Sequence, residues 1–201
     1  MRYLMLIIML CVSAAGVGAQ EETLYKGETE KTGFGGLVVK YTMVKDQGAV
    51  MVGGRGGWII NHSLVLGGGG YAVVSEVDAS EGVLPEEGPL DVEFGYGGFE
   101  LEYVFHPNSL THATLYALIG GGVNNYVKAV GPVTESNEQA GESDFMFVLE
   151  PGMGGELNVA RWFRLNAGVS YRIVTGVGQV GLKNGDLAGI AGTLTLKFGR
   201  F

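Results

Sequence analysis

The 201-residue chain carries 21 acidic against 13 basic side chains, a formal net charge of -8. That length suits one domain, and the acidic balance excludes nucleic acid as a partner, since neutralising phosphate takes a basic surface. Glycine accounts for 36 residues, yet there is no triplet repeat and 46% of the chain is hydrophobic, which excludes collagen and disordered glycine-rich linkers and leaves a sheet protein with close backbone approaches.

The chain begins with Met1-Arg2, an apolar run over residues 4–12 and a small-residue stretch over 13–19. This is the order of a secretory signal peptide (1–19), with cleavage expected after Ala19. The run is too short for a membrane-spanning helix, which takes ~20 residues. The alternative, lipid attachment at Cys11, is disfavoured by Leu10, which stands where such signals need a small residue. Cleavage at Ala19 would also remove the only cysteine, leaving no disulfide chemistry. Residues 20–34 are polar and aperiodic and read as a flexible periplasmic lead-in.

From residue 35 to 201 the chain divides into eight strand-like segments: 37–43, 49–60, 64–75, 91–105, 110–126, 144–159, 163–174 and 188–201. The last is the clearest. Ile190, Leu194, Leu196 and Phe198 share one parity with Gly192, and Ala191, Thr193, Thr195 and Lys197 share the other, the two-residue period of a strand with unlike faces. Connections after the second, fourth and sixth segments are short, and those after the third, fifth and seventh are long. Outer-membrane barrels sort their loops this way, with an even strand number, short periplasmic turns and longer outer loops. The expected fold is therefore all-β: an eight-stranded antiparallel up-and-down transmembrane barrel, with outer-membrane lipid as its surroundings.

The aromatic residues point the same way. Trp58, Tyr103, Phe105, Trp162, Phe163 and Phe198 are expected at the periplasmic rim, and Tyr71, Phe94, Tyr96, Tyr126, Phe145, Phe147 and Tyr171 at the outer one, as two interfacial girdles. Parity sets the charged residues opposite the apolar ones. In the fourth segment Val92, Phe94 and Tyr96 share the apolar face with Phe99, Leu101 and Tyr103 only if the phase slips, so a β-bulge is expected at Gly97-Gly98. With the apolar face toward lipid, five cations (Lys40, Arg55, Arg164, Arg172, Lys197) and five anions (Glu93, Glu100, Glu102, Glu150, Glu156) line the interior. Eight strands leave room only for side chains, so these charges must pair and close the lumen.

Catalytic and binding motifs are weaker. The glycine runs at 53–57, 67–70 and 120–122 lack the Lys-Ser/Thr and the strand-to-helix setting of a phosphate loop. No zinc-type Cys/His spacing occurs, and the acidic loop 76–91 lacks the EF-hand spacing, so no metal and no cofactor is expected. His62 and His106 fall in turns, and His112 opens the fifth segment with no nucleophile and acid assembled beside it, so the expected protein is not an enzyme.

On this strand pattern and the terminal Leu-Thr-Leu-Lys-Phe-Gly, the chain resembles the small eight-stranded outer-membrane barrels of Gram-negative bacteria, the outer-membrane protein A/X and porin-like superfamily, with a terminus similar to Bacteroidota members. The resemblance implies a final aromatic, Phe198 or Phe201, read by the barrel-insertion machinery. It implies adhesion, envelope integrity or small-solute passage as roles, none of which follows from fold alone. The reading favoured is a charge-paired, largely closed barrel with a structural or interaction role through its outer loops. A narrow channel and a soluble lipocalin-like binder are the alternatives.

Overall fold

The computed structural model describes residues 30–79, 90–128 and 139–201. The expected signal peptide, most of the lead-in and residues 80–89 of the acidic loop lie outside the described residues. Eight strands form one closed barrel in sequence order: β1 (Lys31–Val44), β2 (Gln47–Ile60), β3 (Leu64–Val73), β4 (Leu90–Val104), β5 (Thr111–Lys128), β6 (Gln139–Ala160), β7 (Phe163–Thr175) and β8 (Gly189–Gly199). Every neighbouring pair is antiparallel, and β8 closes on β1 through partners such as Leu37↔Leu196 and Val39↔Leu194. A one-turn helix, α1 (Asn184–Leu187), lies between β7 and β8. Among the described residues no helix is long and apolar enough to cross a membrane, a fact that says nothing of crossing by strands.

Three features of the wall differ materially from those expected. β1 starts at Lys31, so residues 31–34 belong to the wall and not to the lead-in; Phe34 pairs with Gly57 and Gly199. β5 and β6 stay paired as far as Val127↔Gln139, past a register shift beside Tyr126, so the hairpin projects further than the segments 110–126 and 144–159. The Gly97-Gly98 bulge does not exist. The β3–β4 and β4–β5 ladders run through it without a shift, and irregularities fall instead at Asn124/Tyr126 and Asn158/Ala160.

Without that slip, one parity of β4 faces inward from end to end: Leu90, Val92, Phe94, Tyr96, Glu100, Glu102 and Val104 are buried, while Phe99, Leu101 and Tyr103 are exposed. The change along this face is one of chemistry and not of direction. Parity also settles β3 and β5, whose facing the sequence leaves open. Val65, Tyr71 and Val73 point in from β3, and His112, Thr114, Tyr116 and Leu118 from β5.

The outer wall is apolar. Leu37, Tyr41, Ile119, Phe147, Val169, Ile190 and Leu194 are all exposed. The interior has three tiers. At the end bearing the long connections (the loop end) an apolar cluster includes Val44, Met51, Val73, Leu90, Phe94, Leu118 and Met146. It is completed by Val77 and Ala79 of the β3–β4 connection and by Leu182 and Leu187 of the β7–β8 connection, which fold into the mouth. The middle tier is ionic. At the short-turn end a small apolar group joins Phe34, Ile59, Val65 and Val104, with Phe201 packed against it.

Glycine allows the wall to bend around this filling. Gly98 and Gly120 are cross-strand partners on β4 and β5. A Cβ on Gly120 would lie 2.0 Å from the Gly97 carbonyl oxygen and 2.6 Å from Gly98 Cα, and one on Gly98 would lie 2.3 Å from the Ile119 carbonyl oxygen. The obstruction is backbone, which cannot swing aside as a side chain can. We expect Gly120→Ala to lower barrel stability by ~1–3 kcal/mol. The control is Gly192→Ala, where a Cβ meets nothing within 4 Å. Urea unfolding of the protein in lipid vesicles, followed by the gel shift between folded and boiled forms, compares the two.

Candidate functional site

The one assembly of chemically capable side chains among the described residues is the ionic tier. Its members come from every strand, because each inward-facing position on a narrow barrel points at the same axis. Arg55 of β2 sets Nη2 2.7 Å from Glu102 Oε2 and Nε 2.8 Å from Glu100 Oε2, the latter an ion pair whose N–H is not aimed as a hydrogen bond. Lys197 of β8 reaches across the lumen to Glu102 Oε1 at 2.7 Å and to Glu156 Oε2 at 2.5 Å. Glu156 Oε1 in turn accepts from Arg164 Nη1 at 3.0 Å and stands 2.9 Å from His112 Nε2. A continuous chain thus runs Glu100–Arg55–Glu102–Lys197–Glu156–Arg164, tying opposite walls together.

Nearer the loop end, Lys40 of β1 donates to Glu150 Oε1 at 2.7 Å and to the Tyr96 hydroxyl at 3.1 Å. Ser170 donates to Glu150 at 2.6 Å, and the Tyr96 hydroxyl makes a short hydrogen bond to the other oxygen of the same carboxylate. Tyr71 donates to Glu100 Oε1 at 2.5 Å and offers its ring face to Lys40 Nζ, 3.4 Å from the centroid. Tyr71 thus joins the two clusters. Cations stacked on rings and carboxylates that each hold several donors are the conditions under which buried charge is tolerated.

Arg172 is different. It is fully buried, and no carboxylate lies within ion-pair distance of it among the described residues. Its Nε donates to the Leu187 carbonyl of α1 at 2.6 Å, Nη1 approaches Met51 Sδ at 3.2 Å and Nη2 the Thr42 hydroxyl at 3.4 Å. The guanidinium lies over the Phe94 and Tyr96 rings, at 5.0 and 5.6 Å.

Of the ten charges expected inside, Lys40, Arg55, Glu100, Glu102, Glu150, Glu156, Arg164, Arg172 and Lys197 are buried in the lumen. Glu93 is not: it is exposed at the loop end, hydrogen-bonded by Asn125 Nδ2 at 3.3 Å. Its parity is opposite to that of Glu100 and Glu102, and only the supposed bulge would bring it inside. The interior therefore holds five cations against four carboxylates, with His112 beside them.

Among the aromatics, Trp58, Tyr103, Phe105, Trp162 and Phe198 are exposed at the short-turn end with Phe163 half-buried, and Phe145, Phe147 and Tyr171 are exposed toward the loop end. Tyr71, Phe94, Tyr96 and Tyr126 are not interfacial; all four are buried inside. Two of their hydroxyls hold lumen carboxylates, Tyr126 donates to the Val180 carbonyl at 2.8 Å, and Phe94 underlies Arg172. At the C-terminus Phe198 stacks outside against Trp162 and Phe163, whereas Phe201 turns into the mouth beside Phe34 and under Arg164, 4.1 Å from ring centroid to guanidinium carbon. Phe201 is thus a lumen-capping residue and does not share the outer face of Phe198.

Tyr71, Tyr96, His112, Thr114 and Tyr116 are lumen groups that sequence reading does not find, whereas parity on β7 already sets Ser170 on the charged face. The signal was present on β5, where His112, Thr114 and Tyr116 alternate with Ala113, Leu115 and Ala117. Of the other histidines, His62 meets Glu30 Oε2 at 3.0 Å and His106 occupies a turn with φ of 51°. Among the described residues no group of His, Cys, Asp or Glu is arranged to hold a metal ion.

No family model matches the sequence, and no curated protein matches it either. Solved structures do. The N-terminal β-barrel domain of Pseudomonas aeruginosa OprF is 12% identical, with a TM-score of 0.52 over 86% of this chain and 99% of that one. Neisserial surface protein A (NspA) is 15% identical, with a TM-score of 0.50 over 87% of this chain and 99% of that one. At such identities the likeness is one of fold: the chain is a closed eight-stranded antiparallel barrel of the kind both of them have.

The ionic tier makes a stability prediction. Glu102→Leu leaves Arg55 and Lys197 with one carboxylate partner fewer, and should destabilise the barrel by ~3–5 kcal/mol. Adding Lys197→Met removes the excess positive charge, with Glu156 still held by Arg164 and His112, and should restore part of the loss. Denaturant midpoints of the two variants in vesicles test this; a double variant no more stable than the single one would contradict the coupling.

Proposed function

We propose that this protein is an integral outer-membrane barrel with a closed lumen, acting in the cell envelope as a structural element or through the connections at its loop end. One observation carries the reading: the barrel is inside-out relative to a water-soluble one. Outward-facing Leu37, Ile119, Phe147 and Ile190 are 62 to 67% exposed, while lysine, arginine and glutamate side chains fill the middle. In water, so large an apolar wall is an aggregation surface; in hydrocarbon it is the required one. A soluble lipocalin-like binder needs the reverse, an apolar interior to receive its ligand. The strands, 10 to 22 residues long, meet or exceed the ~9–11 residues that a tilted strand needs to cross a bilayer. The fold likeness to OprF and to a neisserial surface protein supports the same location.

In the membrane the short-turn end faces the periplasm and the loop end faces out. Trp58, Trp162 and Phe198 then mark one interface, and Phe145, Phe147 and Tyr171 approach the other. Phe198, exposed on the outer face of the last strand, is the aromatic that an insertion machinery would meet. The filled interior favours a closed barrel over a narrow channel: apolar side chains pack at both ends of the ionic tier, and each of its four carboxylates is held by two or more donors.

Three measurements test this. After export the protein should stay with outer membranes through a sodium carbonate wash and migrate faster on gels unboiled than boiled; release into the wash would overturn the membrane reading. In planar bilayers it should give no unitary current, and reproducible single-channel steps would overturn the closed lumen. Leu194→Arg, on the outer wall of β8, should weaken folding into vesicles by ~2–4 kcal/mol.

A further inference from the structure

The short-turn mouth of the barrel contains a cleft of about 710 Å³ that the closed-lumen reading does not use. Its rim is formed by three turns and the chain end, with His62, Asn108, Asn158, Arg161 and Phe201 around it and Arg164 at its base. We propose that this cleft is a binding site for an acidic peptide segment, a carboxylate group with neighbouring amide N–H groups.

The donors come first. Arg164 is 6% exposed and spends Nη1 on Glu156; its other N–H groups have no acceptor among the described residues. Phe201 stacks on its guanidinium and limits its freedom to turn away. Arg161, in the β6–β7 turn, is exposed at the rim of the same cleft. Two guanidinium groups of which one is held in place by a carboxylate and a ring form a site for planar oxyanions, because the fork of N–H donors matches a carboxylate edge.

The surrounding charge has the right sign. At this end of the barrel the exposed cationic side chains are Lys31, Arg161 and Arg200, and the exposed acidic side chain among the described residues is Glu30, already engaged by His62. The loop end is the reverse, with Asp46, Glu76, Asp78, Asp91, Glu93, Asp144 and Asp186 outnumbering Lys45 and Lys183 there. An anion is therefore drawn to the short-turn mouth and repelled from the other.

Size favours peptide over a bare anion. A cleft of about 710 Å³ is far larger than phosphate would fill, and it leaves room for a backbone beside the carboxylate. Asn158, whose Nδ2 donates to the Ser109 carbonyl at 2.8 Å, is held in the cleft wall. Asn108 adds a second side-chain amide, and the Phe201 ring adds an apolar surface for the peptide side chains.

The inference stands on the side chains of the mouth and is independent of the membrane reading, since the gel shift and the carbonate wash report the latter separately. The probe is N-acetyl-Ala-Glu, titrated calorimetrically into the folded protein in detergent micelles, with N-acetyl-Ala-Gln-amide and inorganic phosphate as comparison ligands. Saturable binding of the acidic probe is expected, weakened about tenfold or more by amidation. Arg161→Gln, in an exposed turn, should weaken it about fivefold with the gel shift intact, and Arg164→Lys, which retains the charge but loses the fork, by a similar factor. No saturable binding, equal binding of the amidated probe, undiminished binding by both variants, or phosphate binding as tightly as the peptide would each overturn the proposal.

Discussion

Lys197 bridges two lumen carboxylates, Glu102 at 2.7 Å and Glu156 at 2.5 Å, from the strand that closes the sheet. That arrangement depends on one constraint. An antiparallel barrel of eight strands has an interior about as wide as the side chains pointing into it, so inward charges cannot avoid one another and water cannot screen them. Each lumen carboxylate accordingly answers more than one donor: Glu100 an arginine and a tyrosine, Glu150 a lysine, a tyrosine and a serine, Glu156 a lysine, an arginine and a histidine. Tyrosine matters here because its ring supports a cation while its hydroxyl satisfies an anion, both without adding charge. The wall can be greasy because these ionic groups all point inward.

The ends of the lumen follow from the middle. A charged tier open to solvent at both mouths would hydrate and loosen; apolar caps prevent it. At the loop end the cap is borrowed from the connections, with Val77, Ala79, Leu182 and Leu187 buried. At the short-turn end it comes from Phe34 and from the chain's own last residue, Phe201. Arg172, beneath the loop-end cap, is anchored by the Leu187 carbonyl and two ring faces in place of a carboxylate. Glycine serves the same economy of space: Gly98 and Gly120 let β4 and β5 meet closely where a methyl group would strike the neighbouring backbone.

Much of this was legible in the residues. Period two on β8 and β7 and the alternation of short and long connections are enough for strand number and topology and for the facing of those two strands, while β3 and β5 stay open. Nine of the ten charges assigned to the interior are buried there. The exception, Glu93, and the misplacement of Phe94 and Tyr96 share one cause. Placing aromatics against lipid because they are apolar demands a bulge to keep Phe94 and Tyr96 there, and β4 has none at Gly97-Gly98. An aromatic beside buried cations belongs to the ionic tier as readily as a carboxylate does, and strict parity along β4 was the better guide. Tyr71 was misread for the same reason, in a strand so rich in glycine that alternation is faint. The three-turn cleft was beyond sequence reasoning, since His62, Asn108, Arg161 and Phe201 are brought together only when the barrel closes.

The central claim is that apolar side chains face hydrocarbon and ionic ones face the axis. Single spin labels along β8, in the protein folded into lipid vesicles, test it most directly by comparing relaxation by dissolved oxygen with that by a water-soluble nickel chelate. High oxygen accessibility is expected at positions 190, 194 and 198 and low accessibility to both reagents at 191, 193, 195 and 197. The opposite phase, or no two-residue period at all, would contradict the account.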